Sequence, residues 1–240
     1  RLVGNHSNGE GLNTFLVGGN ISLLHFRNNH LNDRYGALST RETVGDHIVV
    51  PTSGSEVILS DNVLAGNGGS LDDNDKTALV NLLFEPADAL NGGELNILIE
   101  RNETRNSSGE AYRLRKLANV GADGSAAVTF RKNYSSNTLG NTLRMELIDE
   151  ENNEDPFTNV DVAIIIDDNK LLGSNSNLLN VRLSVSQDAS TNVSITDNFF
   201  ANSESDLMDM RQQEGQTIGA SDRGVVTIDF TRNLDFSGTE

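Results

Sequence analysis

The chain reads as all-β: two tandem β-sandwich modules preceded by an N-terminal strand extension. Three observations predict this. First, a segment appears twice. Val120–Phe130 (VGADGSAAVTF) has a counterpart at Ile218–Ile228 (IGASDRGVVTI), 98 positions further on. Each copy is a polar, glycine-containing turn that runs into an alternating strand, with Ala126, Val128 and Phe130 set against Val226, Ile228 and Phe230. A spacing near 100 residues is the size of one small sandwich. Second, short β-branched runs recur roughly every ten residues between turn signals, as in sandwiches and barrels. Third, only 36% of the 240 residues are hydrophobic and 5% aromatic. Short strands between polar loops give that composition, and a large helical core does not.

Residues 1–40 form the extension. A polar lead, Asn5–Gly9, is followed by the apolar run Phe15–Phe26, broken at Gly18-Gly19, and by the polar linker Arg27–Arg34. The run makes one or two strands. If it adds to the sheet edge of a neighbouring subunit, Phe15, Val17, Ile21 and Leu23 are the side chains that fill its pockets. The alternative is a first strand of its own domain.

Residues 41–148 form the first module. Ile48–Val50 and Val57–Leu59 are short strands around the turn Pro51–Gly54. Residues 66–75 make a long loop. Lys76–Phe84 carries Leu79, Leu82 and Leu83 at helical spacing before Pro86, which predicts a short helix. Leu95, Ile97 and Ile99 alternate, residues 101–109 are a polar tip, Ser125–Phe130 is the repeated strand, and Leu143, Met145 and Leu147 alternate again. The acidic stretch Asp149–Pro156 marks the module boundary. Residues 149–240 form the second module, with strands at Val160–Ile166, Val181–Val185, Val193–Ile195 and Val226–Phe230.

The segment Ala122–Phe130 (ADGSAAVTF) resembles the penultimate-strand region of bacterial immunoglobulin-like repeats, which occur in surface adhesins and filaments. The resemblance covers about ten residues of the first module and is blurred in the second, and the Trp and Cys of antibody-type domains are absent. It implies an extracellular immunoglobulin-like sandwich without catalytic residues. A jelly-roll-like sandwich fits the strand spacing equally.

The net charge is −17, and only four of the 18 basic residues are lysines. Such a surface repels phosphate backbones and anionic lipid, so neither nucleic acid nor a lipid surface is an expected partner. It suits salty water, where screening removes self-repulsion. Without cysteine no disulfide supports the fold. No run of about 18 apolar residues offers a membrane span. The start at Arg1 reads as a processed or an incomplete chain.

Chemistry is sparsely signalled. Asp72, Asp73 and Asp75 in one loop, and Asp149 and Asp155 at the module boundary, are the hard oxygen ligands a structural calcium ion would use. Neither cluster has EF-hand spacing. Apart from that calcium no cofactor is expected. The five-residue spacing of His25 and His30 suits neither a strand face nor a helix face. There is no Gly-x-Ser-x-Gly elbow and no phosphate loop. The scarcity of aromatics argues against a sugar cleft. Asn102, Asn106, Asn133 and Asn192, with Asn5 and Asn20, are Asn-x-Ser/Thr glycosylation acceptors if the source is archaeal or eukaryotic.

The expectation is therefore a non-enzymatic structural protein at the cell surface or outside the cell, which assembles with itself into a filament or surface layer. The alternatives are a virion coat, decoration or tail subunit, and a calcium-dependent adhesive or ligand-binding module.

Overall fold

The computed structural model describes residues 1–7, 15–32, 37–40, 47–66, 78–147, 160–183, 189–212 and 225–236. The described residues form strands and turns without a helix, so the all-β character holds. The tandem sandwiches do not. The strands lie in three sheets, and the chain visits sheet 1, sheet 2 and sheet 3 in turn before returning to sheet 1 one layer further on. This is a β-solenoid.

Sheet 1 contains β1 (Leu2–Val3), β5 (Leu23–Arg27), β9 (Ser55–Ser60), β12 (Glu94–Glu100), β15 (Ser125–Arg131), β18 (Asp161–Asp167), β21 (Ser190–Thr196) and β24 (Val225–Thr231). Sheet 2 contains β2 (His6–Ser7), β6 (His30–Asn32), β10 (Val63–Ala65), β13 (Glu103–Ser107), β16 (Tyr134–Thr138), β19 (Lys170–Ser174), β22 (Phe199–Ser203) and β25 (Leu234–Phe236). Sheet 3 runs through β3 (Phe15–Leu16), β7 (Leu38–Ser39), β11 (Val80–Pro86), β14 (Tyr112–Arg115), β17 (Leu143–Glu146), β20 (Leu179–Leu183) and β23 (Met208–Gln212), with β4 (Gly19–Asn20) and β8 (Ile48–Val50) pairing beside β11. Neighbouring strands are parallel throughout.

The alternation that suggested sandwiches has another cause here. Parallel sheets covered on both faces read as continuous apolar runs, whereas a sheet with one wet face alternates. Sheets 1 and 2 have an inner face on the core and an outer face largely in water, so most of their parallel strands alternate, whereas on sheet 3 the outward Leu83, Arg115, Glu146 and Asn180 are buried as well. In β18 the even-numbered Val162, Ile164 and Ile166 are buried, while Asp161, Ala163 and Ile165 are exposed. Parallel register stacks like on like. Leu24, Val57, Ile97, Val128, Ile164, Val193 and Ile228 form one inward column of sheet 1, and Phe26, Leu59, Ile99, Phe130, Ile166, Ile195 and Phe230 form the next. Each buried member contributes about 1.5–3 kcal/mol of transfer free energy. Tyr112 from sheet 3 closes the core edge-on against Phe130, with centroids 5.1 Å apart.

The repeated segment is explained by the same columns. Ala126, Val128 and Phe130 stand in the columns of Val226, Ile228 and Phe230, three layers away in sheet 1. The near-100-residue spacing is therefore three irregular coils, not one domain. The segment that resembles an immunoglobulin-like strand is a turn followed by β15, between two parallel neighbours. Gly121 in that turn has φ +92°, and a Cβ there would stand 2.6 Å from the Asp88 carbonyl oxygen of the preceding coil. Strands from both sides of residue 149 pair directly: β15 with β18, β16 with β19 and β17 with β20. One hydrophobic cluster runs from Leu24 to Phe200.

The helix predicted at Lys76–Phe84 is also overturned: Val80–Pro86 is β11. Leu82 and Leu83 are buried in a strand whose ladder partners lie in β7, β8 and β14, and Leu79 is buried just before it. Tertiary pairing overrides the local spacing. Pro86, the expected helix stop, is instead the last residue of the strand.

Every passage from sheet 1 to sheet 2 is a two-residue bend. The first residue takes the left-handed conformation: Gly4, Asn28, Asp61, Arg101, Lys132, Asp168, Asp197 and Arg232 all have φ between +52° and +70°. The second is always asparagine: Asn5, Asn29, Asn62, Asn102, Asn133, Asn169, Asn198 and Asn233. These asparagines stack into a ladder. The Asn62 backbone N–H and Nδ2 both donate to Asn102 Oδ1, at 3.1 and 2.8 Å, and Nδ2 also donates to the Phe26 carbonyl at 2.9 Å. Asn102 bonds likewise to Asn133 Oδ1 and the Leu59 carbonyl, and Asn133 to Asn169 Oδ1 and the Ile99 carbonyl. The ladder continues through Asn198 to Asn233. Successive rungs are separated by 24, 33, 40, 31, 36, 29 and 35 residues, so coil length varies while the corner does not.

Replacing Asn133 by Ala leaves buried donors of Asn102 and the Ile99 carbonyl unpaired. The expected cost is about 3 kcal/mol, a Tm lower by roughly 6–12 °C. Asn192→Ala, at an exposed position of β21, is expected to shift Tm by less than about 3 °C. Thermal melts of the two variants side by side check this.

Candidate functional site

The solenoid has two kinds of surface that could carry function: the outer faces along its length, and the open strand edges at its two ends.

Along its length, the corner between sheets 1 and 2 carries a charge ladder outside the asparagine ladder. The Arg101 guanidinium donates to both Asp61 carboxylate oxygens, at 2.7 and 3.0 Å, and lies 2.8 Å from Glu100. Arg131 donates through Nε and Nη2 to Glu100 Oε2 at 3.0 and 2.8 Å. At the far end Arg232 donates to both oxygens of Asp197, at 2.7 and 2.6 Å. Acid on one coil thus meets base on the next. The Arg101 bond holds the Asp61 carboxyl below its ordinary pKa, and the Arg232 bond does the same to Asp197. Burial resists ionisation of Glu100, but Arg131 and Arg101 outweigh it and keep its pKa low. Arg101 and Arg232 are raised in turn by their carboxylate partners.

The outer face of sheet 3 holds a second group. Glu146 sits beneath Arg113, at 3.6 Å, and Arg144, which also reaches Glu110 at 3.7 Å. Arg182 lies 3.7 Å from Asp209. Five arginines, with Arg115 and Arg211, thus share one face of an acidic protein. On sheet 2, the Lys170 ammonium lies 5.9 Å and 5.7 Å from the Tyr134 and Phe199 ring centroids of its neighbouring coils.

Two shallow clefts open on these surfaces. One, of about 330 Å³, is lined by Asn137, Gly173, Asn202 and Glu204 at the bend between sheets 2 and 3. The other, of about 270 Å³, lies on sheet 1 between Glu56, Asn96, Thr129 and Arg131. Among the described residues each contributes a single carboxylate, so neither presents the carboxylate pair that glycoside hydrolysis uses.

The residues singled out in the sequence fall in several places. Phe15, Val17 and Ile21 pack partly buried on the chain's own core, with Phe15 edge-on to Phe26 at 5.9 Å, and Leu23 is exposed on β5. The calcium candidates Asp72, Asp73, Asp75, Asp149 and Asp155 lie outside the described residues. Among the described residues no three His, Cys, Asp or Glu side chains converge as metal ligands. His25 lies in sheet 1 and His30 in sheet 2, so they do not form one site. Burial, then the charges of Arg27 and Arg1, lowers the His25 pKa. Among the glycosylation candidates, Asn106 and Asn192 are exposed. Asn102 and Asn133 are buried ladder residues whose Nδ2 atoms, the atoms a glycan would occupy, are already donated. In the folded chain these two amides are held inside the ladder.

Sequence reasoning missed the ladder itself. A signal was present: a large apolar residue stands three positions before each rung, as in Phe26-x-x-Asn29, Leu59-x-x-Asn62, Ile99-x-x-Asn102, Phe130-x-x-Asn133, Ile166-x-x-Asn169, Ile195-x-x-Asn198 and Phe230-x-x-Asn233. Unequal coil lengths hide it from a search for a fixed period.

Comparison with family models, with curated proteins and with solved structures finds no match. Among the described residues no helix is long and apolar enough to cross a membrane, since none is present.

The charge ladder gives a pH dependence with a definite sign. Asp61, Glu100 and Asp197 have lowered folded pKa values, so their stabilisation is present above the ordinary carboxylate range and is lost as pH falls through the folded values. Tm is expected to drop between about pH 4 and about pH 2. Arg101→Met, which removes a partner from two carboxylates at once, lowers Tm at pH 6 and converges with the parent at the acid end. Melts across that range measure both.

Proposed function

We propose that the protein is a non-catalytic structural subunit that assembles with copies of itself into an extracellular filament or surface layer. The observation that carries this reading is the constancy of the cross-section. Three parallel sheets and one asparagine ladder extend from the first described coil to the last, although the intervening coils differ in length by up to sixteen residues, from 24 to 40. A solenoid of this kind is close to a one-dimensional object, in which each coil contacts its neighbours. Backbone hydrogen bonds lie along the axis, so axial load is spread over every strand of the three sheets.

The composition supports the same reading. A charge of −17 makes the flanks of such rods repel one another. Contacts between copies are then favoured where apolar surface is open. Secretion fits the absence of cysteine as well as it fits other settings, so the extracellular placement rests on the structural role alone.

Negative-stain electron microscopy of the purified protein, over a range of concentration and ionic strength, tests the proposal. Fibres or sheets with a repeat matching the solenoid are expected. Dispersed single particles throughout that range overturn it.

A further inference from the structure

The bend between sheets 2 and 3 carries a second ladder, and one of its rungs is missing. In four successive coils it turns on a residue in the left-handed conformation: Asn106, Asn137, Gly173 and Asn202, with φ of 52°, 56°, 66° and 59°. The strand register on either side places these four in one column. A serine follows in three of the coils. The Oγ atoms of Ser107, Ser174 and Ser203 lie 2.7, 3.1 and 3.0 Å from the carbonyl oxygen three positions on. The Gly173 coil thus makes the same bend as its neighbours, and asparagine serves that bend in the other three.

Where two asparagines are adjacent in this column, they bond: Asn137 Nδ2 donates to Asn106 Oδ1 at 3.2 Å. Gly173 has no amide to continue the ladder. A Cβ built there would stand 3.2 Å from Asn137 Oδ1, so that oxygen faces the empty rung. Asn202, on the far side, has no amide before it in the column to donate to. The empty rung is the cleft of about 330 Å³, and the exposed Asn175 and Glu204 complete its rim. Neighbouring strands stand about 4.8 Å apart, so Asn137 and Asn202, two coils apart, bracket a space of roughly 10 Å. On the outer face of the same three coils Tyr134, Leu172 and Phe199 are half-buried.

We propose that this cleft binds a single ring of a neutral glycan. Asn137 Oδ1 and the Glu204 carboxylate accept hydrogen bonds, and the Asn175 and Asn202 amides donate them. A ligand that fits must offer donors and acceptors side by side. Sugar hydroxyls do both at each position. Glu204 and the net charge of −17 oppose an anionic sugar. Tyr134 and Phe199, three positions before Asn137 and Asn202, offer apolar surface to the C–H face of an adjoining ring. Recognition here is by hydrogen bonds at a shallow corner, so it does without the aromatic floor of a deep sugar cleft. Binding to one copy is correspondingly weak, and an array of copies gains by avidity. The site goes beyond the proposed structural role and stands without it.

Filling the empty rung tests this. Gly173→Asn supplies the residue that the same corner uses in three other coils, so it is expected to fold with a Tm no lower than the parent's. Glu204→Gln, at an exposed position, is expected to leave Tm unchanged. Isothermal titration uses hexasaccharides of glucose, mannose, galactose and N-acetylglucosamine, with EDTA present so that no metal ion bridges. At least one of the four is expected to bind the parent, and polygalacturonate is not. Gly173→Asn is expected to weaken that binding by at least about tenfold and Glu204→Gln by about threefold or more. If Gly173→Asn fails to fold, Glu204→Gln decides alone. No binding of any of the four sugars overturns the site, and so does equal binding by the parent and the folded variants. Fibres or sheets by microscopy without sugar binding overturn this site and leave the structural role standing. Sugar binding by dispersed particles does the reverse.

Discussion

A buried asparagine at the corner between sheets 1 and 2 does what no apolar residue could do there. The bend leaves two kinds of polar group inside the molecule: the backbone N–H of the bend and the carbonyl of the last inward residue of the coil before. An amide side chain carries both a donor and an acceptor, so it satisfies the corner of the coil on one side and is satisfied by the coil on the other. Asn102 does this through Leu59, Asn62 and Asn133 at once. Buried polar groups without partners cost about 1–3 kcal/mol each. The ladder converts a recurrent liability into a fixed register, and with it the alignment of every inward column.

The rest of the fold follows from that register. Once the corners stack, Phe26, Leu59, Ile99, Phe130, Ile166 and Ile195 must lie over one another, and the sheets must be parallel. The left-handed residue before each asparagine lies outside the core, so its identity is free to vary. The chain uses that freedom for charge, setting Asp61 against Arg101 and Asp197 against Arg232. Exposed pairs of this sort contribute little singly. Their arrangement across coils still matters, because like charges stacked at a spacing of about 4.8 Å would repel.

Within the described coils each layer is satisfied by the next. Ile228 and Phe230 in β24 are half exposed, whereas Val193 and Ile195 one layer in are buried. Extended edge strands invite indiscriminate pairing unless charge or cover blunts them. The net charge of −17 keeps the flanks of such a solenoid from pairing side by side.

The sequence by itself determined the strand content, the inward residues of most strands and the absence of a disulfide, since these depend on local alternation and composition. Leu95, Ile97 and Ile99, and likewise Val162, Ile164 and Ile166, are buried on the face that their period-two pattern assigns. Alternation is blind to strand direction, and a one-face-wet parallel sheet writes the same pattern as a sandwich. Direction, register and the number of layers were therefore decided by tertiary structure. So was the strand at Val80–Pro86, where pairing with three neighbours overrode helical spacing. The role of Asn102 and Asn133 was decided there too. In isolation each is a polar residue in a loop with a glycosylation signature, and only the coil above and the coil below make it a rung. The physical reason is common to all three: the bonds that define this fold join residues some 24 to 40 positions apart, at intervals that change from coil to coil.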